Sequence, residues 1–141
     1  MLRINREALE GALQFHLDEG YHVLDRESGE VFMVSHHPRE AEDKRLTAMV
    51  AADEERYLSV PAIPPANRYR WMRDFAERNT EGYLYDQLAL AMQGRGGVRR
   101  FLSALSDYPR EQQAWHQYQE SQVREYAEEW LRSFEISYEF C

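Results

Sequence analysis

The residues best suited to chemistry in this chain of 141 residues are arginines. Between Arg56 and Arg73, which also hold Arg68 and Arg70, there is no carboxylate. Between Gln87 and Ser106 there are Arg95, Arg99 and Arg100, again with no carboxylate. A guanidinium offers a planar fork of donors matched to a carboxylate or a phosphate. The second stretch adds Gly96-Gly97, whose amides would open a helix and face an anion. Arg95, Gly96, Gly97, Arg99 and Arg100, joined by Arg68, Arg70 and Arg73, are therefore the candidate anion- or partner-binding residues. Arg99 and Arg100 would sit in the first turn of their helix, where the macrodipole disfavours positive charge. Two sources of compensation stay open. The favoured one is internal, through Glu125, Glu128 or Glu129 in the acid-rich last helix. The other is an external phosphate or carboxylate.

Other chemistry-bearing residues form no constellation. The histidines are His16, His22, His36, His37 and His116, and no HExxH or CxxC spacing occurs. His36 and His37 are adjacent on a strand and point to opposite faces, which suits no shared metal. Ser103, Ser106 and Ser121 lack the glycine-flanked turn of a nucleophile elbow. The acidic pairs Glu54-Glu55 and Glu128-Glu129 read as solvated helix faces. Arg95-Gly96-Gly97 is a single RGG, and the Gly-Lys-Ser/Thr ending of a P-loop is missing. The expectation is a noncatalytic module with no metal and no cofactor.

The elements that would position the arginines follow from spacing. Leu84, Leu88 and Met92 repeat every four residues, with Ala89 and Ala91 alongside, as an amphipathic helix requires. Gly94 falls where a left-handed C-cap is wanted. A second helix starts at Gly96-Gly97, close to the first, with Phe101, Leu102 and Leu105 as its apolar face. Pro109 stops it. Upstream, Trp71, Met72, Phe75 and Ala76 mark a helix starting near Asn67. Asn79-Thr80 breaks it, with Thr80 as cap of the next. Downstream, the longest helix runs from about Arg110 to Ser133. Trp115, Tyr118, Gln122, Tyr126 and Trp130 form its stripe, widened by Val123, Ala127, Leu131 and Phe134. Trp115, Tyr126 and Trp130 are expected in the core against Phe101 and Leu88.

The first half of the chain reads differently. Asn5 caps a helix carrying Leu9, Ala12, Leu13 and Leu17, closed by Gly20. Tyr21–Asp25 and Glu30–Ser35 flank Arg26-Glu-Ser-Gly29 as a β-hairpin. From Arg39 to Glu55 the chain is charged and alanine-rich, and helix and surface linker are both open. Tyr57–Val60 is a strand for the hairpin, ended by Pro61. Ile136–Phe140 alternates like an edge strand. The sum is an α+β fold: a small antiparallel sheet, the hairpin plus one or two strands, packed against four to five helices in one domain over residues 1–141.

The totals fit a soluble domain. The net charge is −8 and the pI about 5.1, which argues against general binding to nucleic acid or anionic membranes. Cys141 is the single cysteine, so no internal disulfide forms, as suits a reducing compartment. No signal-like or membrane-length apolar run occurs. A cytoplasmic protein is expected, with no membrane partner and an open oligomeric state.

The order of these elements resembles the uncharacterised bacterial protein family UPF0158. The resemblance lies in Tyr21…Leu24-Asp25 with Ser28-Gly29-Glu30-Val31, in Arg56-Tyr57-Leu58…Pro61, and in Tyr69…Met72…Phe75. Its most specific block is Leu88…Ala91…Gly94-Arg95-Gly96-Gly97…Arg99-Arg100-Phe101…Leu105…Tyr108-Pro109…Trp115…Trp130-Leu131. The chain departs at Gly97-Val98, where that family often has Ala-Phe, and in the alanine-rich run near Ala41 to Ala52. The resemblance implies a small α+β domain and no particular activity. The leading expectation for function is a noncatalytic protein-binding or regulatory module. The alternative is recognition of a phosphorylated ligand or nucleic acid through the arginine face.

Overall fold

A computed structural model describes residues 1–15 and 18–141. The places given above to His16 and Leu17 lie outside the described residues. In chain order the elements are β1 (Leu2–Ile4), α1 (Arg6–Leu13), β2 (Gly20–Asp25), β3 (Val31–Ser35), α2 (Ala41–Ala52) and β4 (Tyr57–Val60). They continue with α3 (Pro65–Asn79), α4 (Gly82–Ala91), α5 (Gly97–Leu105), α6 (Pro109–Ser133) and β5 (Tyr138–Phe140). The fold is α+β. The chain divides into two compact units: Met1–Ala62 with Arg124–Cys141, and Ile63–Val123.

The first unit is built on the hairpin. Alternating apolar residues make β2 the centre of an antiparallel sheet in the order β3-β2-β4. Val23, Val34 and Tyr57 are buried with Val50 of α2, and half-buried Tyr21, Phe32 and Met49 pack around them. Leu24 points to the other face by strand alternation. Against β3 and β4 packs α1, which buries Leu9, Ala12 and Leu13. The Asn5 side chain accepts from the Ala8 amide at 2.9 Å, the N-cap its sequence predicts.

Four expectations need correction here. First, α1 ends at Leu13, and Gly20 opens β2 instead of closing the helix. A Cβ on Gly20 would stand 2.6 Å from the Val34 carbonyl oxygen, so this strand position needs its glycine. Second, the stretch left open between helix and linker is α2, which buries Val50. It raises the helix number among the described residues to six. Third, the tail does not join the hairpin sheet. β5 pairs in parallel with β1, Leu2 opposite Tyr138 and Ile4 opposite Phe140. Three-residue strands carry too little periodicity to reveal this in the sequence. Fourth, Tyr126 and Trp130 are half-buried instead of in the core. In the stretch of α6 after Val123 the buried seam is Ala127 and Leu131. Tyr126 and Trp130 flank that seam one position before Ala127 and Leu131, and rings that carry a polar atom suit such a half-buried place.

The second unit is helical. Its core holds Trp71, Met72, Phe75, Leu84, Leu88, Phe101, Leu105 and Trp115. Trp115 meets Phe101 and Phe75 edge-on, with ring centroids 5.0 and 5.4 Å apart. Such geometry sets the positive edge of one ring against the negative face of the other. Thr80 does not cap α4. Its hydroxyl donates back to the Ala76 carbonyl at 2.6 Å and so closes α3. Leu102 is exposed, a step away from the α5 face formed by Phe101 and Leu105.

Candidate functional site

The corner between α4 and α5 is made by three glycines doing two different jobs. Gly94 has φ +75° and Gly96 φ +74°, the left-handed region that side chains rarely adopt. Gly94 thus occupies the conformation its sequence predicts, and Gly96 is the N-cap residue just before α5. Gly97 has no such φ, but it is buried. A Cβ there would lie 2.9 Å from the Tyr69 hydroxyl and 3.3 Å from the Ala91 carbonyl oxygen. The absent side chain therefore lets α3, α4 and α5 meet at one point.

Arg100 resolves the dipole conflict in a way neither sequence alternative anticipated. It forms no ion pair among the described residues. Its Nε donates to the Ala91 carbonyl at 3.1 Å, and its two Nη atoms donate to the carbonyls of Arg95 and Gln93. The last carbonyls of a helix lack partners and carry the negative end of its dipole. A cation disfavoured at the start of α5 is thus favoured at the end of α4. Compensation comes from backbone oxygens instead of Glu125, Glu128 or Glu129, and Arg100 is not free to hold an external anion.

The other candidates separate. Arg95 and Arg99 are exposed and form no ion pair among the described residues. The first turn of α5 holds no acid, and Gly96 offers no capping side chain. On α3, Arg68 is half-buried and Arg70 and Arg73 are exposed. Arg73 borders a groove of about 310 Å³ lined also by Tyr69, Ala76, Tyr85, Ala89 and Met92. Tyr69 links that groove to Gly97.

Arg56 leaves the group altogether, because it lies in the other unit and is paired. Its Nε and Nη2 each donate to Asp25 at 3.0 Å, and its Nη1 reaches Glu27 at 3.1 Å. Asp25 is 6% exposed, and its Oδ1 also accepts from the amides of Glu27 and Ser28 in the hairpin turn. The Arg56 guanidinium, helped by those amides and opposed by burial, holds the Asp25 carboxyl at about 2. Sequence reading missed this pair because 31 residues separate its members.

The fold defines a small α+β protein with a glycine-hinged helical corner and a pinned hairpin. The whole chain, residues 1–141, matches the model of the family described as Uncharacterised protein family (UPF0158). A UPF0158 protein of Pseudomonas aeruginosa is 34% identical over 115 residues, 82% of this chain and 73% of that protein. The chain belongs to the UPF0158 family. No solved structure matches it. Among the described residues no helix is long and apolar enough to cross a membrane.

Proposed function

We propose that the chain is a noncatalytic, cytoplasmic binding module that takes a protein partner on the outer face of α4. The observation that supports this is the exposure of Tyr83 (71%) and Leu90 (67%). They are seven residues apart and so share a helix face. A neighbouring face of α4, about a third of a turn away, already buries Leu84, Leu88 and Ala91. A helix apolar on two sides has a second surface to cover, and an exposed apolar patch with a polar rim marks an interaction site. Exposed Arg95 and Arg99 follow directly in the chain, which favours an acidic partner.

The test is photo-crosslinking from a reporter placed at Gln87, with capture from the native cytosol. The expected result is one defined product, lost in a Tyr83→Ser, Leu90→Ser variant that stays folded. A product pattern unchanged by those substitutions overturns the reading.

A second reading rests on a separate observation: the acid-free first turn of α5 beside the unpaired Arg95 and Arg99. It is binding of a phosphorylated ligand or nucleic acid. A thermal-shift screen with phosphate, nucleotides and short RNA checks it. A ligand should raise the midpoint by mass action, less at high salt, and not in an Arg95→Gln, Arg99→Gln variant. An unmoved midpoint with every ligand rejects it.

A further inference from the structure

We infer that β3 is a self-association edge, which pairs antiparallel with β3 of a second copy of this chain. Among the described residues the sheet order leaves one side of β3 without a neighbouring strand. Which backbone groups face that side follows from register. Asp25 N–H donates to the Glu30 carbonyl and His36 N–H to the Glu19 carbonyl, at 2.9 and 2.8 Å. Even-numbered residues of β3 therefore bond β2, and Val31, Met33 and Ser35 direct N–H and C=O outward. None of those outward amides has a partner among the described residues.

The strand's own residues also carry none of the usual protection of an edge. Val31–Ser35 contains no charge, no proline and no bulge, and Met33 is 47% exposed. Open edges are normally blunted by such devices because they template pairing.

Polar complementarity selects the occupant. An antiparallel two-fold centred on Met33 sets Val31 opposite Ser35, Phe32 opposite Val34, and Glu30 opposite His36 of the second copy. Met33 opposite Met33 is a hydrogen-bonded pair, so Glu30 and His36 meet at a non-hydrogen-bonded pair, where side chains approach most closely. A carboxylate thus faces an imidazole at both ends of the ribbon. Any other centre of symmetry breaks this match. A centre at Val34 keeps the backbone bonding but sets Glu30 opposite Pro38 and His36 opposite Phe32, and an axis midway between two residues directs the bonding groups of one strand away from the other.

A ribbon five residues long buries less than the ~1,200 Å² of a standard interface, so the dimer should be weak, with a Kd on the order of 10–100 μM. Sedimentation velocity of the full chain at pH 7, from about 5 to 500 μM, should show a reversible monomer–dimer equilibrium. Met33→Lys sets like charges face to face at the axis of a half-exposed position and should abolish the dimer. His36→Glu opposes it to Glu30 twice per dimer and should weaken association on the order of 10-fold. Adding Glu30→Lys to His36→Glu should restore it. Circular dichroism of each variant confirms folding. A monomer at every concentration overturns the inference, including one whose β3 edge takes a strand from another protein. A dimer indifferent to Met33→Lys and to the charge exchange overturns it equally.

Discussion

Asp25 and Arg100 show how much depends on single polar side chains in this small protein. The Asp25 carboxyl titrates at about 2 in the fold against an ordinary value of 3.8. A depressed carboxylate contributes stability in full above its unfolded value, and the contribution fades as pH falls from about 4 through 2. The shift corresponds to about 2 kcal/mol as an upper figure, since part of Arg56 is solvent-screened. Urea unfolding at pH 7 and pH 3 should show wild type losing more stability in acid than Asp25→Asn, which has already lost the charged pair. Equal losses would place the acid sensitivity elsewhere. Arg100 and Arg99 make a second contrast. Arg100→Ala removes three hydrogen bonds to backbone carbonyls, one at the end of α4 and two in the connection after it, and should cost about 1–3 kcal/mol. Arg99→Ala removes none and should stay within about 0.5 kcal/mol. Urea midpoints compare the two directly, and equal effects would contradict the cap. The sequence exposed the problem at this position, two cations in a first turn. It did not expose the solution, because a side chain reaching back nine residues to a carbonyl leaves no trace in residue type.

At the scale of elements, the helical corner was legible because glycine positions report backbone needs directly. Gly94 and Gly97 nevertheless answer different needs, and substitution separates them. A Cβ on Gly94 meets nothing within 4 Å, so only its φ of +75° resists. Gly94→Ala should therefore cost about 1 kcal/mol. Gly97→Ala meets the Tyr69 hydroxyl and ring at 2.9 and 3.0 Å. It should cost more, about 1–3 kcal/mol as overpacking does, and less when Tyr69→Phe removes the hydroxyl. A double-mutant cycle read by thermal unfolding checks this; strict additivity would show that Tyr69 is not the obstacle. The hairpin, β4 and the buried faces of α1 and α3 were equally readable from periodicity and caps. What escaped were elements defined by remote pairing. Leu2–Ile4 and Tyr138–Phe140 are strands because of each other, and neither shows it alone. The α6 seam was misread by one step because large aromatic rings outweigh Ala127 in a hydropathy pattern, although the alanine is the residue the packing buries.

The whole molecule is acidic, but its charge is unevenly shared. Residues 63–123 hold eight arginines against seven acids, so the excess of carboxylates belongs to the unit made of residues 1–62 and 124–141. A unit far from neutrality repels itself, and compaction raises that cost. Salt relieves it: the screening length falls from about 30 Å at 0.01 M to about 8 Å at 0.15 M. The nearly balanced helical unit has little net repulsion to relieve, and its arginine cap on α4 acts through direct hydrogen bonds to backbone carbonyls, which salt screens less. Local openings should respond accordingly. Hydrogen exchange followed by mass spectrometry at pH 7, in about 0.01 M and 0.2 M sodium chloride, separates the two units by peptide. Amides of β2, β3 and β4 should exchange more slowly at the higher salt, and those of α3, α4 and α5 should change little. Measurement at a few micromolar protein keeps self-association at β3 from protecting that strand. Slowing of equal size in both sets would mean that opening is global, and slowing confined to the helices would refute the charge argument outright.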